Sequence, residues 1–134
     1  MLRLFMHVVL LGLNHKSAPI GVRERFNFSK VEKSEALVRL RGVKGVLSGM
    51  ILSTCNRVEI YARGESVDEL WESLQHFLLD RGVVDEDLLE KHAYRKKDEE
   101  VVRHLFRVAS SLDSMVLGEP QILGQVKEAY LLRV

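Results

Sequence analysis

Cys55 is the only cysteine in this chain of 134 residues, and its position suits a nucleophile. It follows the apolar segment 46–54 and opens a short turn, where a side chain is held firmly and still reaches solvent. Arg57 lies two residues further on, and a nearby cation favours the thiolate, which is the reactive form of cysteine. The alternative is a packing role, because free cysteines are among the residues most often buried.

His104 is the second residue with catalytic potential. A helix is predicted from Asp98 to about Leu112, and its apolar residues fall on one face with His104 at the edge of that face. A histidine there can face a cleft while its helix stays packed. The residues by themselves favour the alternative, a boundary histidine bonded to a backbone carbonyl.

Metal and nucleotide sites are not expected. The other histidines form no ligand-spaced pair with Cys55 or with one another. The sequence contains neither of the glycine-rich phosphate-binding patterns, G-x-G-x-x-G and G-x-x-x-x-G-K-[ST]. A net charge of +1 lacks the basic excess of nucleic-acid modules, and the short basic clusters at 39–44 and 95–97 are interpreted as solvated surface. A single thiol suits a reducing compartment, so we expect a cytoplasmic protein.

Hydrophobic patterning predicts the elements that position these residues. The apolar segment 4–13 is too short to cross a bilayer and has no cleavage site after it, so it is interpreted as a buried central strand. Capping boxes at Ser29/Glu32 and Ser66/Glu69 begin two long helices, which end at Gly42 and Gly82. The predicted strands are 7–13, 46–54, 58–63 and an edge strand at 92–96, with a short acidic helix at 85–91 before the last of them.

This order predicts an α+β fold of the ferredoxin-like, split βαβ type, with a four-stranded antiparallel sheet followed by C-terminal helices. Residues 1–97 would form the catalytic core, and residues 98–134 the helices that complete the active site. The last helix, from Pro120 to Val134, has no stop signal, so we expect the natural chain to continue beyond it.

Three segments, which together span nearly the whole chain, carry a family resemblance. They are GLNHKSAPIGVRERF (12–26), LSTCNRVEIYA (52–62) and HLFRVASSLDSMVLGEPQILGQVKEAY (104–130). In sequence, order and spacing they resemble the N-terminal catalytic domain of glutamyl-tRNA reductase. Ser17 stands where the family commonly has threonine. The family's nicotinamide-binding domain and its helical dimerisation domain have no counterpart in this chain.

The resemblance implies a reaction with a covalent intermediate. A cysteine thiolate, matched here by Cys55, attacks the aminoacyl ester of glutamyl-tRNA and keeps the glutamyl group as a thioester. Hydride from NADPH, bound by a domain that this chain lacks, then gives glutamate-1-semialdehyde for tetrapyrrole (porphyrin) biosynthesis. The fragment by itself is therefore expected to lack reductase activity. Implied partners are glutamyl-tRNA, glutamate-1-semialdehyde aminomutase and a second copy of the full-length chain, with no membrane and no metal.

The resemblance also implies site residues. His104 matches a family histidine near the cysteine, which polarises the carbonyl or manages the proton of the departing hydroxyl. Arg57 matches the arginine that binds the substrate's side-chain carboxylate. Polar residues of the glutamate pocket are matched by Thr54, Ser114 and Gln125, and Asn14 and His15 border it. For Ser114 and Gln125 the alternative is a helix cap or a solvent-facing position, and for Asn14 and His15 it is capping of the strand end.

Two other functions stay open at this point. The first is a cysteine acyltransferase or thioesterase without a redox step, which would release acid rather than aldehyde. The second is a non-enzymatic ferredoxin-like binding module, which predicts a buried and inert Cys55.

Overall fold

The structure, a computed structural model, describes residues 6–80 and 86–110. Within these ranges the chain forms four strands and five helices. In chain order they are β1 (His7–Asn14), α1 (Ile20–Phe26), α2 (Lys30–Arg41), β2 (Ser48–Ser53), β3 (Arg57–Gly64), α3 (Val67–Leu79), α4 (Glu86–His92), β4 (Tyr94–Lys97) and α5 (Glu99–Ala109).

The four strands form one antiparallel sheet in the order β2-β3-β1-β4. Because β3 is inserted between β1 and β2, the two strands that α1 and α2 connect run in the same direction without pairing. This is the split βαβ arrangement. The predicted α+β, ferredoxin-like fold is confirmed.

The strand register gathers the chemistry-bearing residues at one end of the sheet. Asn14, the last residue of β1, pairs with Arg57, the first residue of β3. Gly12 lies between Glu59 on one side and Tyr94, the first residue of β4, on the other. The end of β1, the turn between β2 and β3 and the start of β4 therefore lie together.

The two faces of the sheet are covered by different elements. One face packs against helices that include α2 and α3 and contains a large apolar cluster, with Leu11, Ile60 and Leu74 fully buried in it. The other face lies under α5, where a smaller cluster joins Leu10 and Leu52 of the sheet to the helix residues Val101 and Val108. Period-2 alternation along β1 and β3 assigns successive side chains to opposite faces.

One helix was not predicted from the sequence. Helix α1 has seven residues and follows Pro19, and only Arg23 and Phe26 are buried in it. A helix that buries two side chains on fewer than two turns leaves no apolar periodicity to detect. Of the apolar residues in the first long helix, Leu37 and Leu40 are buried, whereas Val31 and Val38 are largely exposed.

The predicted capping boxes have different outcomes. At α2 both hydrogen bonds of the box between Ser29 and Glu32 are present, and Gly42 caps the C-terminus as predicted. At α3 the Ser66 hydroxyl accepts the Glu69 N–H, but the Glu69 carboxylate lies 3.9 Å from the Lys44 ammonium instead. The predicted stop at Gly82 and the last predicted helix lie outside the described residues. Strand β4 begins at Tyr94, later than predicted, because His92 completes α4.

Candidate active site

Cys55 lies exposed at the turn between β2 and β3. The Thr54 hydroxyl oxygen accepts the N–H groups of Asn56 at 3.1 Å and Arg57 at 3.2 Å. The Thr54 N–H donates to the Arg57 carbonyl at 2.8 Å. These bonds fix the backbone on both sides of the thiol, as a nucleophile in an ordered turn requires. The buried cysteine that a mere binding module predicts is not observed.

Arg23 ties this turn to α1. Its guanidinium is buried and donates to the Cys55 carbonyl at 2.6 Å and to the Ala18 carbonyl at 3.1 Å. Sequence reasoning missed Arg23 because it missed α1. A cavity of about 140 Å³ opens beside the cysteine, and the residues that line it are Ile20, Arg23, Glu24, Asn27, Thr54 and Cys55.

A buried carboxylate, Glu59, organises the face of the sheet under α5. It is 0% exposed and accepts hydrogen bonds from Tyr61 at 2.7 Å and from Tyr94 at 2.5 Å. The Arg57 guanidinium lies 3.4 Å from the same carboxylate, and His104 bonds to it through Nε2. The rings of Tyr94 and His104 are tilted by 52° to each other, with their centroids 5.5 Å apart. A fully buried charge of this kind needs such partners, because an isolated one is very costly.

The partners keep Glu59 ionised. Burial by itself would raise the pKa of this carboxyl, but the hydrogen bond and charge of His104 and the charge of Arg57 outweigh it, so the pKa lies below its usual value. An ionised carboxylate only accepts hydrogen bonds, so the proton of the His104 ring sits on Nε2. Burial and the charge of Glu59 raise the pKa of Tyr61 well above its ordinary value of 10.0, so this hydroxyl stays a donor.

His104 thus differs from the prediction made from the residues alone. It is 7% exposed and bonded to a side-chain carboxylate, not to a backbone carbonyl. The predicted helix and its apolar face are confirmed, with Val101 and Val108 buried. The second ring nitrogen, Nδ1, is an acceptor when the ring is neutral and a donor when it is charged.

Arg57 and Asn14 both make contacts that stabilise the fold. Arg57 is 1% exposed and paired with Glu59. The Asn14 side-chain oxygen accepts the N–H groups of Lys16 at 2.9 Å and Ser17 at 3.1 Å, so it caps the strand end as the alternative interpretation holds. Asn14 also lines a cavity that contains His104. For this residue both interpretations are therefore compatible.

The predicted site residues come together at one end of the sheet, on two cavities. Thr54 and Cys55 line one cavity, and Asn14 and His104 line the other. Arg57 and Glu59 lie buried under α5. Ser114 and Gln125 lie outside the described residues. In the ranges 6–80 and 86–110, no three His, Cys, Asp or Glu side chains are grouped to hold a metal ion, and no helix is long and apolar enough to cross a membrane.

Comparison with known proteins identifies the family. Residues 11–133 match the model of the glutamyl-tRNA(Glu) reductase N-terminal domain. The chain belongs to this family. Its relatives include glutamyl-tRNA reductases of Syntrophotalea carbinolica (49% identical, 93% of this chain and 28% of the relative) and Paenibacillus macerans (48% identical, 95% and 29%). The solved glutamyl-tRNA reductase of Methanopyrus kandleri aligns with a TM-score of 0.67 at 38% identity, over 93% of this chain and 27% of that one.

The comparisons also show how much of each relative the chain covers. The chain spans less than a third of the length of these relatives. Glu59 was missed in the sequence although a signal existed. Arg57, Glu59 and Tyr61 share one face of a strand, and the strongly amphipathic α5 needs a face to cover, so the polar face of β3 had to become buried.

Proposed function

We propose that this chain is the catalytic domain of a glutamyl-tRNA reductase and that Cys55 forms a glutamyl thioester from glutamyl-tRNA. The observation that carries the proposal is an exposed thiol in a turn held by Thr54 on one side and Arg23 on the other. Membership of the family supports the substrate class. The whole reaction would then serve tetrapyrrole synthesis.

The first step exchanges one acyl bond for another. The Cys55 sulfur attacks the ester carbonyl carbon, the carbon–oxygen bond to the terminal ribose breaks, and a carbon–sulfur bond forms. The thiol proton ends on the ribose oxygen, so no oxidation or reduction takes place. An aminoacyl ester is an activated acyl group and a thiolate is a strong nucleophile at neutral pH, so the step needs mainly positioning and a route for the proton.

His104 is proposed as that proton carrier. Because Glu59 holds Nε2–H and its charge stabilises the imidazolium, Nδ1 is the atom that carries the proton: it takes the proton from the thiol and returns it to the ribose oxygen. Glu59 acts through His104 rather than on the substrate. Its second task is to compensate the charge of Arg57, a residue deep under α5.

Arg57 is proposed to bind the side-chain carboxylate of the glutamyl group. A guanidinium has five N–H donors in a planar fork, so pairing with Glu59 is compatible with a second carboxylate on the same side chain. Such a fork selects glutamate over the uncharged glutamine. Thr54, Ser114 and Gln125 complete this pocket in the proposal, which for the last two rests on the family resemblance.

The reduction would take place with groups from outside this chain. In the proposed overall reaction NADPH would supply hydride to the thioester carbon, the carbon–sulfur bond would break, and the Cys55 thiolate would leave as glutamate-1-semialdehyde forms. The described residues offer no cradle for a dinucleotide, because the loops that lead from their strands into helices have no glycine-rich turn. The steps argued from this chain therefore end at the thioester, which water would resolve slowly to glutamate.

Further parts of the proposal rest on the resemblance alone. They are a homodimer formed by the full-length protein and an encounter with glutamate-1-semialdehyde aminomutase. The proposed division into a core (1–97) and completing helices (98–134) rests on the order of the predicted elements, and the proposed cytoplasmic location rests on the single thiol.

The test is to trap the acyl-enzyme. The chain is incubated with glutamyl-tRNA carrying labelled glutamate, quenched in acid and analysed by intact mass and peptide mapping. We expect a hydroxylamine-labile glutamyl adduct on Cys55, no adduct in Cys55→Ser, and slow release of free glutamate.

A matched variant tests the proton carrier. His104→Asn should form the adduct more slowly, because the ring nitrogen that carries the thiol proton is lost. Circular dichroism and a urea melt confirm that each variant is folded. A folded wild-type chain that yields no adduct, either by itself or within the full-length protein, would show that Cys55 is not the nucleophile.

A further inference from the structure

A second cavity beside His104 differs in character from the one beside Cys55. It has a volume of about 280 Å³ and lies at the site end of the sheet. Its lining is polar or basic throughout, and the residues are Asn14, Lys16, Ser17, Tyr94, Lys96, His104 and Arg107. Three of these side chains are cationic, and no carboxylate lines the cavity within the described part of the chain.

The cations reach the cavity from three different elements. Lys16 belongs to the turn after β1, Lys96 to β4 and Arg107 to α5. Period-2 alternation in β4 puts Lys96 on the same face as Tyr94, and the ammonium lies 5.9 Å from the centre of the Tyr94 ring. Arg107 follows His104 by three residues, so the two lie on neighbouring positions of one helix face.

The charges of Lys96 and Arg107 are not balanced locally. Among residues 6–80 and 86–110, neither side chain forms an ion pair with a carboxylate, whereas Arg103 of the same helix pairs with Glu99 at 2.8 Å. The acidic residues of α5 lie in its first turn, at the far end of the sheet. A chain with a net charge of only +1 therefore concentrates positive charge at this one cavity.

We propose that this cavity binds a phosphodiester group of the RNA that carries the acyl group. The inference rests on the proposed function, since the thiol must reach an ester at the very end of an RNA chain whose nearest phosphates lie within a few bonds. A concave site lined by lysine, arginine and hydroxyl groups matches the chemistry of a phosphate oxyanion. Near-neutral net charge then does not prevent RNA binding, because the attraction is local.

The experiment compares a double variant with a control of equal charge. Lys96→Gln/Arg107→Gln removes two cations from the cavity. Lys30→Gln/Arg41→Gln removes two exposed cations from α2, on the opposite face of the sheet. Both variants are made in a Cys55→Ser background. The binding of tRNA that carries no amino acid is measured by fluorescence anisotropy over a range of salt concentrations.

The expected result is a change in salt dependence. For single-stranded nucleic acid the slope of log K against log salt is about −0.7 for each phosphate contact, so the cavity variant, which loses the contact to one phosphate, should lose about 0.7 from its slope. It should also bind tRNA more weakly at low salt. The control should keep the wild-type slope. Equal slopes in the two variants would overturn the proposal.

A second arm separates the two sources of phosphate. The binding of NADPH is measured with the same variants, and NADPH is also tested as a competitor of tRNA. We expect no competition at millimolar NADPH. Competition, together with loss of NADPH binding only in the cavity variant, would assign the cavity to the dinucleotide and contradict an RNA site.

The binding assay does not depend on the acyl-transfer reaction. If wild-type chain binds tRNA with a slope that needs Lys96 and Arg107 but Cys55 takes no glutamyl group, the proposed function fails and the cavity assignment stands. If Cys55 is acylated, and Lys96→Gln/Arg107→Gln made in the chain that keeps Cys55 is acylated at the wild-type KM, the assignment fails and the function stands.

Discussion

The face of the sheet under α2 and α3 buries a continuous cluster of aliphatic and aromatic side chains, whereas the face under α5 buries a carboxylate, a guanidinium, an imidazole and two phenols. Both faces contain fully buried side chains, since Ile60 and Glu59, adjacent in β3, are each 0% exposed. The side chains of the apolar face can be replaced by other hydrophobic side chains if the total volume and the pattern are kept. Those of the polar face cannot, because each buried donor and acceptor there depends on a particular partner.

The contrast separates folding from chemistry. Apolar burial on the first face supplies the non-directional driving force that holds the sheet together. The network on the second face fixes the orientation of His104 and the charge state of Arg57, and so prepares two groups for the proposed reaction. Predictions about each face should therefore differ in kind as well as in size.

The largest effect is expected from Glu59→Gln. The variant keeps the shape of the side chain but removes the charge of Glu59 from its buried pair with Arg57, and breaking a buried pair costs about 3–5 kcal/mol. Urea denaturation at neutral pH measures the loss of unfolding free energy. Glu35→Gln on the exposed side of α2 serves as control and should stay within about 0.5 kcal/mol of wild type. A Glu59→Gln variant as stable as the control would mean that the network contributes nothing.

Acidification should weaken the polar face in the same way. Because the pKa of Glu59 is lower in the folded chain than its ordinary value of 4.5, its contribution to stability is present above that value. This contribution is lost as the pH falls through the folded-state pKa. Urea melts between about pH 6 and pH 3 should therefore show a decline that Glu59→Gln reduces.

Asp98 must be separated from Glu59 in that experiment. A hydrogen bond from His7 lowers the pKa of Asp98, so this partly exposed carboxylate contributes acid dependence of the same sign. Asp98→Asn should retain the larger share of the decline. If the acid-induced loss of stability vanishes in Asp98→Asn and persists in Glu59→Gln, then Asp98 and not Glu59 is the source of the acid sensitivity.

On the apolar face, Leu74→Ala should cost about 2–5 kcal/mol through lost burial and the cavity left behind. Leu74 is 0% exposed in the cluster under α3 and touches none of the polar network. At temperatures where the variant is folded, the rate at which Cys55 reacts with a thiol reagent should equal that of wild type. A changed rate would show that the two faces are coupled. Val38→Ala, at a position 72% exposed, is the control.

The same contrast explains which features the sequence could predict. The strands, the long helices and their caps follow from local periodicity, and Cys55 and its turn follow from a strand end. Strand order follows from the order of elements. The role of Glu59 depends on a helix that begins forty residues later and covers it, so no local pattern around residue 59 reports its burial.

Arg23 and the basic cavity were unpredictable for a related reason. Arg23 acts from a helix too short to leave a periodic signal, on a carbonyl 32 residues away in the sequence. Lys16, Lys96 and Arg107 come from a turn, a strand and a helix, and only the fold gathers them. Isolated charges in a sequence of balanced composition are rightly interpreted as solvated until such a structure groups them.

A smaller effect is expected where the polar face has no room for an added methyl group. A Cβ at Gly12 would lie 2.9 Å from Cγ of Glu59, 3.1 Å from the Tyr94 ring and 3.1 Å from the Val58 carbonyl. Gly12→Ala should therefore destabilise the chain by about 1–3 kcal/mol through overpacking. It should also slow the acylation of Cys55, because Glu59 and Tyr94 must move away from His104.

The matched substitution is Gly21→Ala, where an added Cβ meets nothing within 4 Å. Gly21 is exposed in α1, and alanine in a helix is more stable than glycine by about 0.5–1 kcal/mol, so this variant should gain stability. Thermal melts of the two variants side by side compare a site that positions catalytic groups with one that does not. If both glycines tolerate alanine equally, the tight packing around Glu59 is not needed for the fold, and the acylation rate of Gly12→Ala then decides whether it is needed for the chemistry.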